Sequence, residues 1–311
     1  MKILFLKKLT WILIVGVLFV SILPNIVSNY WLIDIFSNFK LQYLIISIFL
    51  LVISLFFLNK KVLAITLGII SMLWNSYFIA PYYFSDITAL KSKKEVKISS
   101  INLLSSNSET DLVKNYIFEE DPDILILIEF TQNWQIKLNP IINNYQYKRL
   151  VPRNDNFGIA LFSKYEMNSS IDYFDLNDKP SIVAELNIES CKISLVATHP
   201  NPPINQLTFE NRNKQLSNIL NKRSKLSEKL IIAGDFNTSS FSNHFSKLTN
   251  GDLKDSRFGF GLLPTWPANY LMLQTTLDHF LVSKNLEVIE RSTGKNIGSD
   301  HLPINIIIGV H

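Results

Sequence analysis

Residues 229–237 read KLIIAGDFN. Four apolar residues run without interruption and then give way to glycine, aspartate and asparagine. A short apolar run bounded in this way reads as a buried strand with a tight exit. Gly234 allows the turn. Asp235 can take a proton from water or orient it, and Asn237 can hold a phosphate oxygen or that same water. Alone, the stretch also reads as an ordinary Asp/Asn turn, so its meaning depends on its surroundings.

The same arrangement recurs along the chain. Asn102 follows KISSI, Glu129 follows DILILI and His199 follows ISLVAT. Asp278 and His279 stand just before FLVS, and Asp300 and His301 just before LPINIII. A strand end can expose a carboxylate while the sheet holds it rigid. Carboxylates, amides and two imidazoles on several strand ends suit one pocket for Mg²⁺ or Mn²⁺ and a phosphate ester, because hard cations prefer oxygen ligands. Each residue singly has a plainer reading. Glu129 is then a strand-end charge, His199 a loop histidine, and Asp300-His301 a surface loop. Asp278 is a ligand or the orienter of an active-site histidine, and His279 reads as structural. His244 and His311 have no supporting context.

Other strand-like runs are VKISSIN, DILILIEF, FGIALFS, SIVAELNI, KISLVATH, LDHFLVS and PINIIIGV. Glu109–Glu120 carries apolar residues at 112, 113, 116 and 117, a helical period, and Leu207–Leu220 has similar spacing. SIVAELNIESCKISLVATH turns at Glu189-Ser190 as a hairpin. Mixed strands and helices predict two packed sheets flanked by helices, an α/β or α+β sandwich.

The front of the chain is different. Three apolar, charge-free stretches at about 9–27, 41–58 and 62–81 each approach the ~20 residues that cross a bilayer. Residues 1–81 therefore read as a membrane anchor, 82–94 as a polar linker and 95–311 as one further domain. Lys2, Lys7 and Lys8 precede the first span, and Lys60 and Lys61 lie between the second and third. Positive residues stay in the cytoplasm, so three spans place the large domain outside it. Lys91, Lys93, Lys94 and Lys97 run against this orientation. The expected address is a membrane crossed several times. Cys191 is the only cysteine, which excludes a disulfide within the chain. The net charge of +4 is spread without a basic block and gives no nucleic-acid signature.

The order N…E…H…GDFN…DH…SDH resembles the endonuclease/exonuclease/phosphatase superfamily, from about Val96 to Ile308. NFGIALFSK, ATHPNPP followed by NRNKQL, GDFNTSSFS, LLPTWP, LDHFLVS and GSDHLPI carry the resemblance. It is nearest to the bacterial membrane-anchored, YafD-like branch, which implies a bacterial plasma membrane as the address. The resemblance implies a four-layered DNase I-like sandwich and a metal-dependent phosphoesterase of phosphodiesterase or endonuclease type. A phospholipid or sphingomyelin phosphodiesterase and a membrane-tethered binding module are the alternatives. It further implies Mg²⁺ or Mn²⁺ at Glu129, with Asn102 and Asp300, and phosphate contacts from Asn102, Asn237 and His199. The catalytic set would be His199, Asp235, Asn237, Asp278 and His301. Many nucleases of the superfamily carry an aspartate two residues after the first asparagine. Here that residue is Leu104, which puts a second metal in question. The substrate would be nucleic acid or a lipid head group, with no obligate protein partner. Trp134, Trp266 and Tyr270 would either line the substrate or pack.

Overall fold

A computed structural model describes residues 2–59, 61–84, 94–189 and 191–310, with the side chains of residues 2, 3 and 57 left out. Residues 1–84 contain the helices α1 (Lys2–Ile26), α2 (Trp31–Ile35), α3 (Lys40–Phe57), α4 (Lys61–Ile79) and α5 (Pro81–Phe84). Leu4–Ile26, Trp31–Phe56 and Lys61–Ile79 are long and apolar enough to cross a membrane. Their outward side chains, Phe19, Phe49 and Leu73 among them, are exposed, as lipid rather than water would accept. Length, composition and these faces together point to membrane association. Polar groups turn inward. Ser47 and Ser71 share a 2.8 Å hydrogen bond, Asn75 donates to Ser21 at 2.9 Å, and buried Lys40 donates to Asn25 Oδ1 at 2.6 Å. Such bonds join helices where lipid offers polar groups no partner.

The remainder holds twelve strands among the described residues. They are β1 (Lys94–Asn102), β2 (Ile124–Ile128), β3 (Tyr147–Val151), β4 (Ile159–Ser163), β5 (Glu166–Asp172), β6 (Ser181–Ile188), β7 (Cys191–Ala197), β8 (Lys229–Asp235), β9 (Leu253–Asp255), β10 (Asp278–Ser283), β11 (Glu287–Thr293) and β12 (Ile304–Val310). Four helices join them: α6 (Thr110–Glu120), α7 (Gln132–Ile142), α8 (Gln206–Asn221) and α9 (Asn243–Thr249). One sheet has the order β11-β12-β1-β2-β4-β3 and the other β5-β6-β7-β8-β10-β9. Side chains such as Ile98, Ile126, Leu195, Ile231 and Phe280 fill the space between the sheets. Val113, Ile117, Trp134 and Leu138 of α6 and α7 cover the outside of the first sheet, and Leu216, Ile219 and Phe245 of α8 and α9 the outside of the second. The result is the expected sandwich in four layers.

Both sheets repeat one pattern of strand directions. Each has a single parallel pair at its centre, β1 with β2 and β7 with β8, flanked on both sides by antiparallel partners. A helix joins each parallel pair, because parallel neighbours need a crossover. The β6–β7 hairpin closes with Ile188 opposite Cys191, as its sequence predicts. The expected linker, 82–94, lies largely outside the described residues. Its first three residues are helical, and Tyr82 is buried against Phe241 and Phe258.

The helical bundle docks on the sandwich through specific bonds. Asp34 of α2 pairs with Arg212 of α8 at 3.0 Å, and both are almost fully buried. Ser242 donates to the other oxygen of Asp34 at 2.6 Å. Asn25 donates to the Phe241 carbonyl, and Gln42 donates to the carbonyls of Met272 and Gln274. Asp34 and Lys40, the two charged residues of 28–40, are both buried.

Candidate active site

The crossover units position the site. The carboxyl ends of β1 and β2 deliver Asn102 and Glu129, and those of β7 and β8 deliver His199 and Asp235. Ligand sites of sheet proteins gather at such ends. The backbone there is unusual. Glu129 has φ +58° and Asn237 φ +52°, left-handed values that side chains resist. Gly234 has φ +138°, and a Cβ on it would lie 2.0 Å from the Thr198 carbonyl oxygen, so this crossing of β8 and the β7 exit admits only glycine. Strain of this kind collects at functional sites.

Asp235 stands at the centre. Its register partner on β10 is Asp278, so two carboxylates share one face of neighbouring strands. His301 joins them. Its Nδ1 lies 2.7 Å from Asp278 Oδ2, and its Nε2 lies 3.5 Å from Asp235 Oδ2. His199 Nε2 approaches that same oxygen to 3.6 Å, and Asn102 donates to it at 3.2 Å. The second oxygen of Asp235 accepts from the Asn237 amide at 2.9 Å. All of these side chains except that of Asn237 are buried.

Burial raises the Asp235 carboxyl to about 6 against the pull of both imidazoles. Burial would lower His301, but the Asp278 and Asp235 carboxylates outweigh it and hold the imidazolium up to about 10. Asp278 is penalised by the same burial, yet its bond to His301 keeps it below the usual carboxylate range. Burial pushes His199 down, so its ring is neutral.

Glu129 forms a second centre. Its Oε2 accepts the Ser105 amide at 2.8 Å, and its carboxyl is raised by burial despite hydrogen bonds from Ser105 and Asn102. Asp300 is close enough to add to that rise. Trp266 Nε1 donates to Asp300 Oδ2 at 3.2 Å, while Asp300 Oδ1 is buried without a hydrogen-bond partner. An unpaired buried carboxylate oxygen is costly. Beside Glu129 and the Asn102 amide it fits a hard divalent cation, which takes one or two carboxylates and keeps its waters. Asp235, Asp278 and His301 also bring ligand atoms within 4.8 Å of one another. There, however, His301 Nδ1 is already bonded to Asp278 and its Nε2 faces Asp235, so the Glu129 centre suits a metal better. Leu104 has φ +58° and puts no carboxylate beside it.

The structure thus gathers Asn102, Glu129, His199, Asp235, Asp278, Asp300 and His301 at one end of the sandwich. Asn237 is there too, but its Nδ2 is committed to the Pro200 carbonyl at 3.0 Å. His279 points away. It is fully buried between Phe236 and Phe245, with Nε2 2.8 Å from the Thr238 carbonyl and Nδ1 3.1 Å from Arg257. Of the three aromatics left open by sequence, Trp134 is core, Trp266 borders His301, and Tyr270 is exposed. Sequence reading missed Arg212, which donates to the Asn237 carbonyl at 2.7 Å. It also missed Ser299, which donates to the Asn102 carbonyl and accepts from the His301 amide. The motif NRNKQL held the first and GSDHLPI the second, without a local sign of role.

A family model described as the endonuclease/exonuclease/phosphatase family matches residues 74–301. No curated protein matches the chain. Among solved structures, D. rerio TDP2 complexed with a single-strand DNA product is similar with a TM-score of 0.60 and 18% identity, over 70% of this chain and 100% of that one. TDP2 from Caenorhabditis elegans gives 0.58 and 15%, over 87% and 93%. An endonuclease/exonuclease/phosphatase family protein from Leptotrichia buccalis gives 0.55 and 19%, over 68% and 98%. At these identities the likeness is one of fold, and the fold is DNase I-like.

Proposed function

The chain belongs to the endonuclease/exonuclease/phosphatase family, and on that premise we propose that it is a membrane-anchored, divalent-metal-dependent phosphoester hydrolase that uses water as nucleophile. Residues 1–81 would be the anchor and 95–311 the catalytic domain, held outside the cytoplasm. The observation that carries the reading is the convergence on Asp235 Oδ2, with Asn102, His199 and His301 all within 3.6 Å.

In this reading Asp235 takes the proton of the attacking water. Raised to about 6, its carboxyl is ionised at neutral pH yet more basic than an exposed aspartate, as a general base should be. His301 stays protonated through Asp278 and stabilises negative charge on the phosphoryl oxygens. Neutral His199 hydrogen-bonds the phosphate or the leaving oxygen, and Asn237 borders the water. Asn102 donates to both Asp235 and Glu129, so it fixes the two centres relative to each other. Glu129 and Asp300, with Asn102 beside them, would hold Mg²⁺ or Mn²⁺. What such a cation supplies when bound is polarisation of a phosphoryl oxygen and neutralisation of the leaving oxygen.

The DNA product in the D. rerio relative brings in nucleic acid as a substrate class, and a lipid head group competes with it. The test of the reading itself is hydrolysis of bis-p-nitrophenyl phosphate by the full chain in detergent. Activity with Mg²⁺ or Mn²⁺ that vanishes on chelation is expected. Activity indifferent to chelation would contradict the reading.

A further inference from the structure

Three loops that carry site residues end on the bundle. The His199 loop runs into α8, where Gln206 donates to the Asn29 carbonyl at 3.0 Å and accepts from the Trp31 amide at 3.1 Å. The Asp235 loop runs on to Asn243, which donates to the Asn25 carbonyl at 2.8 Å. Asp278 is preceded by a hairpin closed by the Trp266–Thr275 bridge. Gln42, at the start of α3, bonds this hairpin at Met272 and Gln274. Of the contacted residues of the bundle, Asn25 is near the end of the first candidate span, Asn29 lies between the two, Trp31 opens the second, and Gln42 is the third residue of α3. The site end of the sandwich therefore faces the level at which the chain enters the membrane.

Two apolar projections reach out at the same level. The hairpin tip exposes Leu271 by 80% and Met272 by 88%, and the loop after His199 exposes Ile204 by 68% beside Leu207. Contiguous exposed apolar side chains mark a surface that is covered in use. Here the cover is indicated by continuity: the Met272 carbonyl is bonded to a residue of a candidate span. Apolar side chains at that depth sit among head groups and upper acyl chains.

We propose that these projections dip into the leaflet on the catalytic side and that the site takes a phosphoester carried by a lipid head group, an inference that rests on the phosphoesterase reading. The lipid stays in its leaflet and its phosphate enters between the His199 loop and the 265–276 hairpin. Water attacks phosphorus, one P–O ester bond breaks, Asp235 receives the water proton, and the head group or the lipid leaves as an alkoxide that takes a proton from solvent water, after which Asp235 returns its proton to solvent.

The test uses the full chain in vesicles of phosphatidylethanolamine, phosphatidylglycerol and cardiolipin. Phosphoester release from lipid, cleavage of a single-stranded oligonucleotide and hydrolysis of bis-p-nitrophenyl phosphate are followed in parallel, for wild type and for the double variant Leu271→Ser with Met272→Ser. Lipid turnover is expected in the wild type and falls at least about tenfold in the variant, while hydrolysis of the soluble diester stays within about twofold. Soluble-diester activity without lipid turnover, lipid turnover indifferent to the variant, or an equal loss of both activities would overturn the lipid proposal. Oligonucleotide cleavage in place of lipid turnover would assign the site to nucleic acid. No diester hydrolysis with any divalent metal would overturn the phosphoesterase reading, and the lipid proposal with it. Insertion is read separately from catalysis. In a Cys191→Ser background, Met272→Cys carrying an environment-sensitive fluorophore is quenched by doxyl-labelled lipid. Quenching only by aqueous iodide, or protection that disappears when the protein is diluted among more vesicles, would contradict insertion; the latter would mean a second copy of the chain covers the tip.

Discussion

Asp235 and Asp278 face each other across β8 and β10, an arrangement that repulsion would disfavour without the imidazolium between them. The neighbouring residue on β10 shows the opposite use of histidine. His279 alternates to the other face of the strand, where burial and the Arg257 charge lower it to about 3. Its folded pKa lies below the ordinary 6.5, so the unfolded chain gains a proton that the folded chain refuses. The stability contributed by His279 is whole above pH 6.5 and is lost as pH falls toward 3. That loss is about 1.4 kcal/mol per pH unit within the window. Thermal melting between pH 7 and pH 5 should show the slope in wild type. It should flatten in His279→Gln, which keeps a donor and an acceptor; an unchanged slope would place the titration elsewhere. The gathered site residues were legible in the sequence for a physical reason. Each is a polar residue that ends or precedes a long apolar run, a contrast visible within ten positions. Arg212 and Asp34 offer no such contrast. They are 178 positions apart, and each alone resembles an ordinary surface charge.

Among elements, the eight strand runs read from sequence are the central strands of the two sheets: β1, β2, β4, β6, β7, β8, β10 and β12. The four that escaped, β3, β5, β9 and β11, are the four sheet edges. Edge strands are solvated along one side, so their side chains need not be apolar. The stretch YKRLV of β3 and EMNSSID of β5 are mostly polar. The helices read from sequence, α6 and α8, are those that close the crossover units, with long amphipathic faces. α9 is only seven residues long, and α7, although Trp134, Leu138 and Ile142 recur at helical spacing, carries Pro140 inside it. The crossover exits also carry a sharp requirement. Gly234→Ala would bring a methyl group against the Thr198 carbonyl at a φ of +138°, which should cost about 3 kcal/mol. For a domain of this size the corresponding fall in Tm is on the order of 8 °C. A Tm within about 2 °C of wild type would mean that the β7 and β8 exits can separate without loss.

At the scale of the molecule, the helical bundle and the candidate-site end of the sandwich are one assembly rather than a tether and a cargo. The Asp34–Arg212 pair sits between them, and Arg212 holds the carbonyl of Asn237. A buried pair of this kind contributes specificity of docking more surely than net stability. The three long apolar helices were legible in the sequence, because uninterrupted apolar length is a local property. Where these helices dock was not legible, since that depends on bonds such as Gln42 to Gln274, 232 positions apart. The central claim is that two neighbouring centres divide the work, a metal centre at Glu129 and a proton-accepting centre at Asp235. It is tested most directly by hydrolysis of bis-p-nitrophenyl phosphate by the full chain in vesicles, followed against Mg²⁺ concentration for wild type, Glu129→Gln and Asp235→Asn. The account predicts that Glu129→Gln raises the Mg²⁺ needed for half-maximal rate by about tenfold or more. Asp235→Asn should leave that requirement near wild type and lower kcat at saturating Mg²⁺ by about a thousandfold. A Mg²⁺ requirement unchanged in Glu129→Gln, or a kcat unchanged in Asp235→Asn, would contradict it.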